Sequence, residues 1–347
     1  MVQLVEKLAA EQSLTHEELV RLIRDRDDAT ARLLAQKAAD RRRGYYGDRV
    51  ILRGLIEFTS FCKNDCYYCG LRRSNRKLSR YRLTGEQILA QCGKGYALGF
   101  RSFVLQGGED SGYSPRSIAQ VVSAIKDRWP DTAVTLSAGE RSRDTYRLWR
   151  DAGADRYLLR EETADRDHYG TLHPGDMSYE NRIRCLYDLK ELGYQVGCGF
   201  MVGSPGQGTE QIVRDLELIR LFQPHMVGIG PFIPQKDTPF AGEGTGSAGL
   251  TCYLLSIIRL LVPKAMIPAT TALNTVPPQG RAWGLRSGAN VCMPDLSPVQ
   301  VRGQYAIYDR KLCTGLEAAE EVEALKEQIR SLGLLPDMGR GDHIDLR

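Results

Sequence analysis

The sequence predicts an α/β fold, a complete (β/α)8 TIM barrel with N-terminal helices and a short C-terminal extension. Three observations carry that expectation. Eight short apolar runs occur at residues 50–58, 103–106, 133–137, 156–159, 195–202, 226–230, 266–272 and 289–293. All but the last are followed by a segment long enough for a crossover helix, which argues for parallel strands, and eight such units argue for closure over an open sheet. The span from Val50 to about Pro294 is close to the ~250 residues typical of such barrels.

Bulk properties bound the rest. Of 347 residues, 42% are apolar, enough to bury a large core. Lys and Arg number 47 against 43 Asp and Glu, so the net charge of +4 gives no case for a nucleic-acid binder. The N-terminus, MVQLVEKLAAEQSLTHEEL, is an amphipathic helical pattern with acidic residues and does not read as a secretion signal. The longest apolar run, around Tyr253 to Pro263, is interrupted by Arg259 and reads as a core helix, so no membrane contact is expected. Nine cysteines, odd in number and mostly isolated, fit a reducing compartment and a cytoplasmic protein.

In chain order, residues 1–47 read as polar helices ending in Arg41-Arg42-Arg43 and Gly44, residues 48–300 as the barrel, and residues 301–347 as a helical cap. The loops after the strands carry the informative residues. The first strand leads into Cys62-Lys63-Asn64-Asp65-Cys66-Tyr67-Tyr68-Cys69, the second ends in Gln106-Gly107-Gly108-Glu109-Asp110, and the third runs through Ser137 into Ala138-Gly139-Glu140. The later strands lead into Arg160-Glu161-Glu162-Thr163, Gly203-Ser204-Pro205, Pro231-Phe232-Ile233-Pro234, Thr275-Val276-Pro277-Pro278 and Pro294-Asp295-Leu296-Ser297. Barrel enzymes keep their chemistry on this rim.

The CxxxCxxC spacing of Cys62, Cys66 and Cys69 aims three sulfurs at one point, as zinc or an iron–sulfur cluster requires. A structural zinc wants four ligands, and the next cysteine is Cys92. A four-iron cluster held by three cysteines leaves one iron open. This motif resembles that of the radical S-adenosylmethionine (SAM) superfamily, where the open iron chelates SAM. The resemblance implies one 4Fe-4S cluster and SAM as cofactors, and reductive cleavage of SAM to a 5′-deoxyadenosyl radical in a dry, enclosed space. It also implies roles on the rim. Gly107, Gly108 and Glu109 match the glycine–glycine–glutamate turn that holds the SAM amine, and Gln106 just before it is counted with the cofactor site. Glu162 and Arg182 supply carboxylate and guanidinium contacts, and Ser137 a hydroxyl. Met201, within Gly199-Phe200-Met201-Val202-Gly203, and Tyr68 contact the adenine. Taken singly, Arg182 and Glu162 also read as a surface ion pair and Met201 as core.

A closer resemblance rests on Ile56-Glu57-Phe58, Cys69-Gly70-Leu71-Arg72-Arg73, Arg80-Tyr81-Arg82, Ala154-Asp155-Arg156-Tyr157-Leu158-Leu159-Arg160, Pro231-Phe232-Ile233-Pro234 and Pro268-Ala269-Thr270-Thr271-Ala272. From about Tyr46 to Cys313 the chain is similar to the FeFe-hydrogenase maturases of the HydE family. That similarity implies work on an iron–carbonyl–cyanide–cysteine precursor during assembly of the di-iron subcluster of the H-cluster, with transient docking to other maturation proteins. Arg160, Thr270, Thr271, Tyr305 and Tyr308 would line the substrate end of the cavity. Arg160 on the fourth strand and the two threonines on the seventh are expected to share one pocket for a small anionic group. Some members carry three C-terminal cysteines for a second cluster; here Cys313 stands alone, with Glu321 and Ala324 at the other places.

Cys198 and Cys292 read as small buried hydrophobes. The basic run Arg72-Arg73-Ser74-Asn75-Arg76-Lys77, with Arg80 and Arg82, reads as a solvated loop, an acidic-partner docking site or, less well with few aromatics, an RNA contact. Two rivals stay open: a radical SAM enzyme on a small amino-acid-like substrate, of the methylornithine synthase or biotin synthase type, and a non-catalytic zinc-binding barrel.

Overall fold

The computed structural model describes residues 1–312 and 318–346. Three helices open the chain: α1 (Val2–Glu11), α2 (His16–Arg24) and α3 (Asp28–Tyr46). α2 begins in a capping box, with Thr15 accepting from the Glu18 amide while the Glu18 carboxylate accepts from the Thr15 amide. α3 packs along α10 (Ala248–Leu261), the core helix read around Arg259. Arg259 is fully buried there and donates to the carbonyls of Pro263, Ala265 and Gly288, so its charge does not break the helix.

The centre is a six-stranded parallel sheet in the order β2 (Gly54–Thr59), β3 (Ser102–Gly107), β4 (Ala133–Ser137), β5 (Arg156–Leu158), β6 (Gln195–Cys198) and β8 (Met226–Val227). Helices α4 (Gly85–Ala97), α5 (Pro115–Arg128), α6 (Arg143–Asp151), the pair α7 (Arg166–Leu172) and α8 (Tyr179–Glu191), and α9 (Thr209–Phe222) make the successive crossovers. Parallel pairing puts every strand's C-terminal end on one side, so the loops read as a rim do share one face. Isolated parallel bridges continue the sheet past β8: Met226 to Met266, Pro268 to Val291, and Asp295 back to Leu55 of β2.

Several strand boundaries differ from the reading. The run 50–58 is two strands, β1 (Arg49–Leu52) and β2, broken at Arg53, whose buried guanidinium donates to the Gly341 carbonyl. The runs 195–202 and 226–230 are likewise split, and their second halves, β7 (Met201–Val202) and β9 (Gly230–Pro231), pair with each other. Residues 266–272 form no continuous strand. Only Met266 and Pro268 bridge to neighbours, and Thr270 caps the short helix α11 (Thr271–Thr275) by accepting from the Leu273 amide. After α12 (Gly280–Arg286), β10 (Val291–Cys292) and α13 (Val299–Arg302), helix α14 (Ala318–Ser331) leads to β11 (Leu335–Asp337), an unforeseen strand that pairs in parallel with β1.

The tail closes the face opposite the rim. Arg156, wholly buried on β5, donates to the Asp342 carboxylate at 2.6 Å and the Arg340 carbonyl at 2.7 Å. Among the described residues, no helix is long and apolar enough to cross a membrane.

Candidate functional site

The cysteine loop leaves β2 at Thr59 and is gripped from two sides. Gly108 packs against it so closely that a Cβ there would lie 2.2 Å from the Phe61 carbonyl oxygen and 2.8 Å from Cys62 Cβ. Gly70 is held equally tightly: its amide donates to the Ile307 carbonyl at 2.9 Å, and a Cβ would meet the Ala306 oxygen at 2.0 Å. Only glycine allows either approach.

Cys62, Cys66 and Cys69 are half-buried and free. Burial pushes all three thiols upward, Cys69 to about 12, and each of Cys66 and Cys69 is raised further by its cysteine neighbours. Three such thiols ionise together only with a strongly positive guest, which is what an iron–sulfur cluster's irons supply. Among the described residues, no three histidine, cysteine or carboxylate groups come close enough to share a single metal ion. Three free thiols on one short loop, with no fourth cysteine before Cys92, make a donor set that fits the three-cysteine base of a cluster.

Beside Cys66 and Cys69 lies a cavity of about 250 Å³. One wall is apolar: Met201 and Phe232 are buried together with Leu172, and Tyr68 packs against them. The Tyr68 hydroxyl lies 3.2 Å from His173 Nε2, while His173 Nδ1 lies 3.0 Å from the Tyr169 carbonyl. The carbonyl can only accept, so Nδ1 carries the proton and Tyr68 donates to Nε2. Burial pushes His173 down to about 3, which keeps the ring neutral.

The opposite wall is polar and strained. Glu162 sits at φ +68°, left-handed for a non-glycine residue, with its amide donating to the Gly199 carbonyl at 3.1 Å. Its Oε2 is 2.9 Å from Arg160 Nη2 without hydrogen-bond alignment. Arg160 Nε and Nη2 and Glu162 Oε2 are thus buried polar atoms lacking hydrogen bonds, and both residues line the cavity. Such atoms are uncommon in folded proteins and call for a guest that completes them.

Thr270 and Tyr308 line this cavity with Arg160; Thr271 does not. As the first residue of α11, Thr271 faces a neighbouring cavity of about 450 Å³ instead, shared with Glu57, Asp295 and Lys311. The expectation of one pocket for both threonines is corrected by the helix turn that replaces the seventh strand. Lys311 Nζ donates to both oxygens of Glu57, at 2.6 and 2.5 Å, and burial still raises this carboxyl to about 8. The reading did not single out this pair. Tyr305 is buried and hydrogen-bonded to Gln106, and Gln106 lies beside Ser137 in the β3–β4 register.

Arg182 is buried and is not a surface partner of Glu162. Its Nε donates to Glu140 at 2.5 Å and its Nη1 to the Arg160 carbonyl at 2.7 Å. Glu140, which the sequence reading gave no role, also donates its amide to Glu109 Oε1 at 2.8 Å. Glu109 is buried under Gly139, with Lys63 Nζ 3.2 Å away, and is not among the residues lining the cavity. A polar chain Glu109–Glu140–Arg182 therefore ties the turn after β3 to the backbone of Arg160.

The basic run is largely neutralised within the chain. Arg72 pairs with Asp65, Arg73 with Asp176, Lys77 with Asp237 and Arg82 with Asp110. With Arg73, Arg76 and Lys77 exposed in a loop, the solvated-loop reading describes the run, and much of its charge is met by carboxylates of this chain. Cys198 and Cys292 are buried, as small hydrophobes would be. Cys313 lies outside the described residues.

Comparison with known proteins completes the site. Residues 56–219 match the family model of the radical SAM superfamily. The chain is 43% identical over 334 residues to the [FeFe] hydrogenase maturase subunit HydE of Thermotoga maritima, covering 96% of this chain and 95% of that one. It is 30% identical to 3-methylornithine synthase of Methanosarcina barkeri, over 84% and 81% of the two chains. Among solved structures, methylornithine synthase superimposes with a TM-score of 0.85 at 29% identity, covering 96% of this chain and 97% of that one. The maturase HydG of Carboxydothermus hydrogenoformans shares the fold, with a TM-score of 0.81 at 19% identity over 97% and 79% of the two chains.

Proposed function

The chain belongs to the HydE family of the radical SAM superfamily and is an enzyme, and from that premise we propose that it matures FeFe-hydrogenase by acting on an iron–carbonyl–cyanide–cysteine precursor of the di-iron subcluster. The observation that carries the reading is the 43% identity over nearly the full length of a HydE chain. Methylornithine synthase shares the architecture, but its identity is lower by 13 points (43 − 30).

Cys62, Cys66 and Cys69 would hold one 4Fe-4S cluster, and Tyr68, Met201, Glu162 and the turn at Gly107-Gly108 would seat SAM beside it. The cluster and SAM, when bound, supply a 5′-deoxyadenosyl radical by reductive cleavage. The chain's own residues orient and exclude. Met201 and Phe232 give SAM an apolar wall, Glu162 offers its unfilled oxygen, and Arg160 with Thr270 presents donors to an anionic substrate group, a carboxylate or cyanide. Tyr308 covers the same cavity, and Gln106 and Ser137 brace the rim. Arg182 works through Glu140, holding the Arg160 carbonyl and the Glu109 turn in register.

The bridges at Met226–Met266, Pro268–Val291 and Leu55–Asp295 support a complete barrel, which would surround the radical on every side. Residues 1–47 and 301–347 then serve as helical segment and cap around a 48–300 barrel. The enzyme would work in the cytoplasm, docking transiently to the other maturation proteins and to neither nucleic acid nor membrane. The test is maturation of apo-hydrogenase in a mixture lacking its HydE: the chain is expected to restore hydrogen evolution, and methylornithine formation without such restoration would overturn the assignment.

A further inference from the structure

Arg80 has no place in the chemistry described so far, yet its guanidinium gathers four backbone carbonyls. Nη1 donates to Ser60 at 2.5 Å and to Leu71 at 3.0 Å; Nη2 donates to Arg72 at 2.7 Å and to Asn75 at 3.2 Å. Ser60 precedes the first cysteine and Leu71 follows the third, so one side chain joins the two stems of the loop that carries Cys62, Cys66 and Cys69. Carbonyls accept and cannot donate, so stems converging this way need a donor with several protons in one plane. Arginine offers five in a rigid fork, lysine three around a point.

The same cation lies within electrostatic reach of Cys62 and Cys69. Its neighbours in the run are neutralised by carboxylates, Arg72 by Asp65 and Arg82 by Asp110, whereas the hydrogen bonds of Arg80 run to uncharged carbonyls, which leave its charge uncompensated by them. A positive charge beside a cluster favours the reduced, more negative state.

We infer that Arg80 is a positioning residue for the cluster: it fixes the two stems of the cysteine loop before iron is bound and places a permanent positive charge beside the cluster. The second half rests on the three-cysteine reading of the cluster; the first concerns the iron-free loop and stands or falls separately.

The test uses the full-length chain with Arg80→Met and Arg80→Lys. In the iron-free protein, amide hydrogen exchange across residues 60–75 is expected to accelerate by about tenfold or more in Arg80→Met, as losing several charge-assisted bonds implies, while β3 to β6 stay protected. Arg80→Lys should loosen the same amides to a lesser degree. After anaerobic reconstitution with iron and sulfide, Arg80→Met is expected to hold less iron. Its remaining cluster should show a more negative midpoint potential by EPR titration, whereas Arg80→Lys keeps the wild-type potential. Unchanged loop exchange in Arg80→Met overturns the positioning role, and an unchanged potential in that variant overturns the electrostatic one. Should Arg80→Met fail to fold, wild-type loop exchange in Arg80→Lys overturns the proposal on its own.

Discussion

Replacing Arg160 by methionine separates stability from function at the cavity. In the native chain, Arg160 Nε and Nη2 and Glu162 Oε2 are buried without hydrogen bonds, although the two charges stand 2.9 Å apart. An unmet buried polar group costs about 1–3 kcal/mol. Methionine removes two such atoms but strands the Glu162 carboxylate without its cation, a penalty of similar size and opposite sign. The melting temperature of Arg160→Met is therefore expected to move by only a few degrees, and the double variant Arg160→Met/Glu162→Gln, which strands no charge, should be at least as stable as wild type. Function should respond differently. A charge-assisted hydrogen bond to an anionic group contributes roughly 1.5–3 kcal/mol, or about 10- to 100-fold in affinity. Thermal melts, iron content and apo-hydrogenase maturation measured on one preparation decide the matter. The expected result is near-native stability and iron with maturation down by at least an order of magnitude. Undiminished maturation would refute the reasoning and put the substrate's anionic end elsewhere.

Other outcomes follow from the same geometry. Burial raises Glu57 to about 8, against the pull of Lys311, and Glu161 to about 7, from an ordinary 4.5. Up to about pH 6.5 this is opposed by the buried histidines, His173 among them, which the unfolded chain protonates and the folded chain does not. From about pH 6.5 to 8 the folded chain still holds protons on Glu57 and Glu161 that the unfolded chain has released, so stability should fall as pH rises through that window. Melts at neutral and mildly alkaline pH should show this slope, and Glu57→Gln should flatten it; an unaltered slope would contradict the assignment. Gly108→Ala should displace the cysteine loop, because the new methyl meets the Phe61 carbonyl at 2.2 Å, and its iron content after reconstitution should drop while the far-ultraviolet circular dichroism is preserved.

What the sequence could convey depended on how local the cause was. The cysteine spacing, the glycine turn after β3 and the strand of Ala133–Ser137 are written in consecutive residues, and the periodicity exposed them. Thr270 and Thr271 misled because β-branched pairs favour strands, yet Thr270 is a helix cap, a role that threonine in front of a short helical stretch equally well signals. Arg182 found Glu140, 42 residues earlier, and Lys311 found Glu57, 254 residues earlier; no local pattern encodes partners at that separation. β11 contains a proline and is only three residues long, so nothing but the edge of β1 makes it a strand. The basic run is the exposed loop that it reads as, but its acidic partners Asp110, Asp176 and Asp237 come from other loops, so no local pattern announces the pairs.

As proposed above, a cluster held by Cys62, Cys66 and Cys69 would pass the electron to SAM beside this cavity. The most direct measurement is 5′-deoxyadenosine release from the anaerobically reconstituted chain given dithionite and SAM, compared with Cys66→Ala. The account predicts about four irons per chain and product from the wild type, with neither a full cluster nor product from the variant. Equal product from Cys66→Ala, or a colourless wild-type protein holding stoichiometric zinc, would contradict it.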